Sequence, residues 1–204
     1  EKTRIIAVEP HPEIHRRLAF NKSLNPSMPI ELFQGGIGDR EDEMQLLTGD
    51  DNLGQTRILR ADEAAHPKGI KVPITTLISL CEKFDLNRID GMKIDVEGFE
   101  GREIQGIDLK KIKPWVLLVE AYCANKGRID NEDWEPYVLG AGNKLAFFDG
   151  LNCFYVSEDH EDLLPSFDSP VNVLDDYARH CNLEVERAHL EAVERVGATE
   201  LVLS

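Results

Sequence analysis

The stretch Ile89–Glu100, IDGMKIDVEGFE, constrains the fold more than any other part of the chain. A short apolar run, Ile89–Ile94, stops on an acid, Asp95, and Val96, Glu97 and Gly98 lead at once into a pattern that is helical as far as Ile104. A strand that ends in a carboxylate and passes directly into a helix is the repeating unit of an open α/β sheet, and in such sheets ligands bind outside the carboxyl ends of the strands. Two other segments follow the same plan. Ile5–Val8 ends on Glu9, and Trp115–Val119 ends on Glu120. Three parallel strands of this kind would line one crevice with carboxylates.

The remaining segments agree with an α/β fold. Glu9-Pro10-His11-Pro12 stops the first strand, because neither proline can continue a ladder or a helix interior. Glu13–Asn25 has helical spacing of Ile14, Leu18 and Leu24 and ends before Pro26. Ile30–Phe33 reads as a strand, Gly35–Asp39 as a turn, and Met44–Leu47 as a returning hairpin strand. Thr48–Gly69 is polar and reads as a long loop, of the kind that is usually functional or mobile. Lys71–Ile74 is a strand whose Pro73 places it at an edge. Thr75–Phe84 is a helix capped by Thr75 or Thr76. Asn131–Leu139 is a helix with Trp134, Tyr137 and Val138 on its packing side. Lys144–Phe148 and Cys153–Val156 flank Asp149-Gly150-Leu151-Asn152, a hairpin with a four-residue loop. Asp159–Pro170 reads as a loop and Val173–Val196 as largely helical. Strands alternating with helices, closed by an antiparallel hairpin, predict a mostly parallel sheet covered on both faces. The expected organisation is a core over residues 1–170 and a helical extension over residues 171–204.

Charge and cysteine usage narrow the function. A net charge of −15 disfavours nucleic acid and anionic membrane surfaces, which need clustered Lys and Arg, and more easily accommodates a neutral or cationic small molecule. No apolar run has transmembrane length. Cys81, Cys123, Cys153 and Cys181 include no C-x-x-C pair, so they read as reduced thiols of a cytoplasmic protein. His11 and His15 are four apart, but Pro12 puts His11 outside the helix, so they do not read as a metal pair. No metal site is expected.

Glu9 is placed as the acid that accepts hydrogen bonds from ribose hydroxyls in nucleoside-binding folds, since a carboxylate can take two hydroxyls side by side. It would equally serve to cap the helix beginning near Pro12. Asp95 and Glu97 stand at a strand-to-helix junction, where the helix N-terminus alone favours carboxylates. They would also face the crevice, and Lys93 within the strand would pair with an acid. Glu120 repeats the arrangement one strand along. Gly35-Gly36-Ile37-Gly38 invites a phosphate-loop reading that fails, because Glu41 occupies the position of the third glycine.

The segments VEPHPEIHRRL, GGIGDRE, VPITTLISL, IDGMKIDVEGFEGREIQG and KPWVLLVE together resemble FkbM-type S-adenosylmethionine-dependent methyltransferases. FFDGLNCFYV and SPVNVLDDY extend the likeness, which spans residues 4–177. The resemblance implies a Rossmann-like class I methyltransferase sheet using S-adenosyl-L-methionine. The reaction implied is O-methylation of a hydroxyl on a sugar, polysaccharide or secondary-metabolite acceptor. It implies cofactor contacts from Glu9 with Pro10, from Gly36 and Ile37 near the adenine, and from Asp95 and Glu120. The position of Asp95 and Glu97 at the crevice makes one or the other the expected catalytic base. The family also places a central strand and a D-x-G-A-N-x-G loop ahead of the strand that holds Glu9. The 204 residues contain neither, so that strand is expected to lie outside them. Two other classes compete: a non-catalytic α/β module that binds a glycan or partner protein, and a nicotinamide oxidoreductase. The lack of a G-x-G-x-x-G fingerprint counts against the latter.

Overall fold

A computed structural model describes residues 3–48, 56–59, 66–95, 104, 107–123 and 128–170. The chain divides into two compact units, Glu1–Asp168 and Ser169–Ser204, and the described helices and strands belong to the first. The expected helical extension, residues 171–204, lies outside the described residues.

The chain opens with β1 (Ile5–Glu9), α1 (Pro12–Leu24) and β2 (Ile30–Gln34), a parallel βαβ unit with Ile5 opposite Ile30 and Glu9 opposite Gln34. Helix α1 begins where the sequence dictates. Pro12 occupies its first turn, and the His11 ring caps it by accepting from the backbone N–H of Glu13 through Nδ1 at 3.2 Å. Arg16 and Arg17 both reach the Glu13 carboxylate and hold its pKa down to about 2.

A second sheet has the order β3 (Gly36–Ile37), β6 (Ile70–Thr75), β4 (Asp42–Thr48), β5 (Thr56–Ile58). This departs from four expectations. Gly36–Ile37 is a strand parallel to β6 rather than part of a turn, and β4 pairs with β6 and β5, not with β2. The cause is close approach. A Cβ at Gly35 would stand 2.8 Å from the Pro73 carbonyl, and one at Gly38 would stand 2.7 Å from the Ile74 side chain. Only glycines admit β6 there. β5 also interrupts the segment expected to be loop from Thr48 to Gly69. β6 is internal rather than an edge, yet β3 pairs with it only at Ile74 and Thr75, so Pro73 lies just before that pairing begins.

Helix α2 (Leu77–Lys83) follows, capped by the Thr76 hydroxyl, which accepts from the Ser79 N–H at 3.0 Å. Glu41 explains its own place in the glycine turn. Its Oε1 accepts from the Thr75 hydroxyl at 2.7 Å and the Thr76 N–H at 3.0 Å, tying the turn to the start of α2.

The third sheet has the order β11 (Asn143–Phe148), β12 (Asn152–Ser157), β8 (Val116–Glu120), β7 (Gly91–Ile94). β7 and β8 are parallel, and β12 and β11 add the expected antiparallel hairpin. β9 (Tyr122–Cys123) and β10 (Arg128–Ile129) form a small ribbon after β8. Helix α3 spans only Glu135–Gly140, preceded by a turn from Asn131. Trp134 and Val138 pack inward, whereas Tyr137 is exposed, because a helix this short buries one narrow stripe. Glu158–Phe167, largely within the loop expected over Asp159–Pro170, is 3-10 helix kinked at His160. The Ser157 hydroxyl caps it, and Pro165 denies it an α-helical interior.

Alternation along β8 and β12 decides the core. Leu117 and Val119, with Cys153 and Tyr155 opposite, face α2 and α3 and are fully or almost fully buried. Ile6 and Val8 of β1 pack against the same cluster. The architecture is mixed α/β. In place of one mostly parallel sheet there are small mixed ones, and among the described residues β1 and β7 each pair on one side only. Among the described residues, no helix is long and apolar enough to cross a membrane.

Candidate functional site

The pairing of β7 with β8 sets Ile94 beside Val119, so the next residues, Asp95 and Glu120, meet at the ends of adjacent parallel strands. The Glu120 carboxyl stands close enough to Asp95 to bear on its titration. Lys93, two residues before Asp95 and therefore on the same side of the strand, places its ammonium 2.5 Å from the Asp95 carboxylate. The Glu120 carboxyl, aided by the Lys93 charge and opposed by partial burial, holds Asp95 below the ordinary aspartate range. At neutral pH Asp95 is therefore a charged acceptor. Glu97 lies among residues 96–103, outside the described residues.

The row continues on the other side of β8. Asn152 is the register partner of Glu120, so its side chain shares that side of the sheet. The hairpin turn holds it rigidly. Asp149 Oδ1 accepts from the N–H groups of Leu151 at 2.8 Å and Asn152 at 2.6 Å, while Asp149 Oδ2 accepts from Asn152 Nδ2 at 3.0 Å. Burial opposes the Asp149 charge, but these donors outweigh it and its pKa is lowered. The turn is also pinned to the chain beyond Glu120, because Ala121 and Tyr122 donate to the Leu151 carbonyl at 2.9 and 3.1 Å. Asn152 Oδ1 is buried and accepts no hydrogen bond among the described residues.

Glu9 ends β1, half-buried. Its Oε1 accepts from the His11 N–H at 2.7 Å, so it does help set the entry to α1, as its capping role would require. A single hydrogen bond uses one of a carboxylate's roughly four acceptor positions. The Glu9 carbonyl accepts from Gly35 at 3.2 Å, which brings Glu9, Pro10 and the residues before Gly36 together. Gly36 itself is buried and Ile37 half-buried, both held by β6.

Two groupings therefore emerge, Glu9 with Gly35–Ile37 and Asp95 with Glu120, on separate sheets that pack on one core. Sequence reasoning missed Asn152 and its Asp149 clamp. The signal that could have found them was a Gly-containing turn that delivers an amide opposite a strand ending in an acid. Among the described residues, no three His, Cys, Asp or Glu side chains are grouped to hold a metal ion. Cys81 and Cys153 are free thiols, and burial raises the pKa of both.

Residues 1–145 match the Methyltransferase FkbM domain family. No curated protein matches the chain, and no solved structure does.

Proposed function

The chain belongs to the FkbM methyltransferase family, and we propose that it methylates a hydroxyl oxygen of a sugar, polysaccharide or secondary-metabolite acceptor at the rim carrying Asp95 and Glu120. Family membership implies S-adenosylmethionine as the methyl donor, and when bound it supplies an electrophilic methyl group on a sulfonium. The observation that carries the reading is the strand register that brings the Asp95 and Glu120 carboxyl groups side by side at the tips of two adjacent parallel strands.

The acceptor chemistry of the residues fits such a ligand. Glu9 presents lone pairs to the two ribose hydroxyls from a position fixed by His11, with Pro10 keeping the backbone from continuing the ladder. Gly36 and Ile37 form the neighbouring wall, toward the adenine. Asp95 and Glu120 face the junction of cofactor and acceptor.

In-line displacement needs alignment of the attacking oxygen and exclusion of water more than it needs covalent help. Asp95 accepts a hydrogen bond from the acceptor hydroxyl and aims its oxygen. A carboxylate held below its ordinary pKa is a weak proton acceptor at neutral pH, because general bases work best with a pKa near the operating pH. The hydroxyl proton is therefore assigned to Glu97, two residues further on. Radiolabel transfer from S-adenosylmethionine to a panel of hydroxylated acceptors tests these roles. Asp95→Asn and Glu97→Gln should each lower turnover by about a hundredfold or more, the first through lost alignment of the attacking oxygen and the second through loss of the general base. Wild-type rates in both variants would remove these residues from the reaction.

A single class I sheet in the order β2, β1, an inserted strand, β7, β8, β12, β11 would join the two groupings. The unpaired edges of β1 and β7 support it.

A further inference from the structure

The geometry points to Asn152 as a specificity-determining residue of the methyl-acceptor site, its Oδ1 accepting a hydrogen bond from a second hydroxyl of the molecule held at Asp95. This rests on the reading of the Asp95–Glu120 rim as the acceptor site.

Three observations carry it. First, Asn152 Oδ1 is buried without a donor among the described residues, which costs free energy unless a partner arrives. Second, the amide cannot be turned round to cure the defect. Its Nδ2 must face Asp149 Oδ2, an acceptor-only carboxylate, so Oδ1 points away from the turn. Third, Asn152 lies directly beside Glu120, and Glu120 beside Asp95, so three polar side chains stand in a row at the ends of three adjacent strands. Neighbouring strands are about 4.8 Å apart and β8 lies between those of Asp95 and Asn152, so their backbones are about 10 Å apart and a ligand that satisfies both must carry more than one donor. A molecule with several hydroxyls does so, and one with a single hydroxyl on an apolar frame does not. Asp149 is then a positioning residue, because it fixes the amide without touching the acceptor.

The test uses the full chain with S-adenosylhomocysteine present and reads ligand contact by saturation-transfer NMR. The probes are methyl β-glucopyranoside and its fully O-methylated counterpart, which keeps the ring but has no donors. The wild-type chain should prefer the glycoside. Asn152→Leu, of similar volume, should bind it about tenfold more weakly, as the loss of one buried hydrogen bond allows, and should lose the preference over the ether. The exchange Asp149→Asn with Asn152→Asp keeps an acceptor at the same place and a reversed clamp, and should retain the preference. A purely structural role for the turn would weaken both probes alike and would overturn the proposal, as would a wild-type chain with no preference or an unchanged preference in Asn152→Leu. Failure of S-adenosylhomocysteine to bind would instead overturn the reading of the site as a methyltransferase centre.

Discussion

Asp95 joins the chemistry of the rim to the stability of the fold. Its charge is favoured in the folded chain by Glu120 and Lys93, so its folded pKa lies below the unfolded value. The sign follows from linkage. A depressed carboxyl pKa contributes stability that is complete above the ordinary aspartate value, about 3.9, and is lost as pH falls through the folded value. Urea unfolding measured across acidic pH should therefore show the wild-type chain losing stability more steeply below about pH 4 than Asp95→Asn does. Parallel slopes would mean that the pair does not hold in solution. The Lys93 contact is half exposed, so its own contribution is small and falls with salt.

At the level of elements, the open edges of β1 and β7 make a distinct prediction. β8 is paired on both sides, by β7 and β12, whereas β1 and β7 are each paired on one side among the described residues. If a strand is inserted between β1 and β7, hydrogen exchange should protect the β8 amides throughout and also the amides of β1 and β7 that point away from their described partner. Fast exchange of those outward amides would mean that nothing fills the edge. The same elements show what the sequence revealed. Ile5–Glu9, Ile30–Gln34, Gly91–Ile94 and Val116–Glu120 are legible because each is an apolar run bounded by Pro, Gly or an acid. The Asp149–Asn152 hairpin is legible from its turn chemistry. β3, β5, β9 and β10 are not, since strands of two or three residues carry no periodicity and exist only through tertiary pairing. Gly35 and Gly38 read as turn glycines in the sequence because the strand that needs their missing Cβ atoms lies some 35 residues away. In the site, the Asp95–Glu120 pair is readable from two strands ending alike. The Asn152 amide is not, because its orientation is set by Asp149 rather than by any pattern in the chain.

Across the whole molecule, acids outnumber basic residues 38 to 23, and many of the basic residues are spent on local ion pairs. Arg4 with Glu31, Lys71 with Glu43, Lys113 with Asp159 and Lys144 with Glu161 are examples. What remains at the strand tips is rich in acceptors, which suits hydroxyl-bearing ligands and repels phosphate backbones. One hollow served by both Glu9 and the Asp95–Glu120 pair is the proposition on which the function depends. Calorimetric titration with S-adenosylhomocysteine, on the wild-type chain and on Glu9→Gln, tests it most directly. The wild-type chain should bind it and not NAD, and Glu9→Gln should weaken binding about tenfold or more, since a charged hydrogen bond to a ribose is worth roughly 1.5–3 kcal/mol. Undiminished affinity in Glu9→Gln would separate Glu9 from the cofactor and contradict the shared hollow.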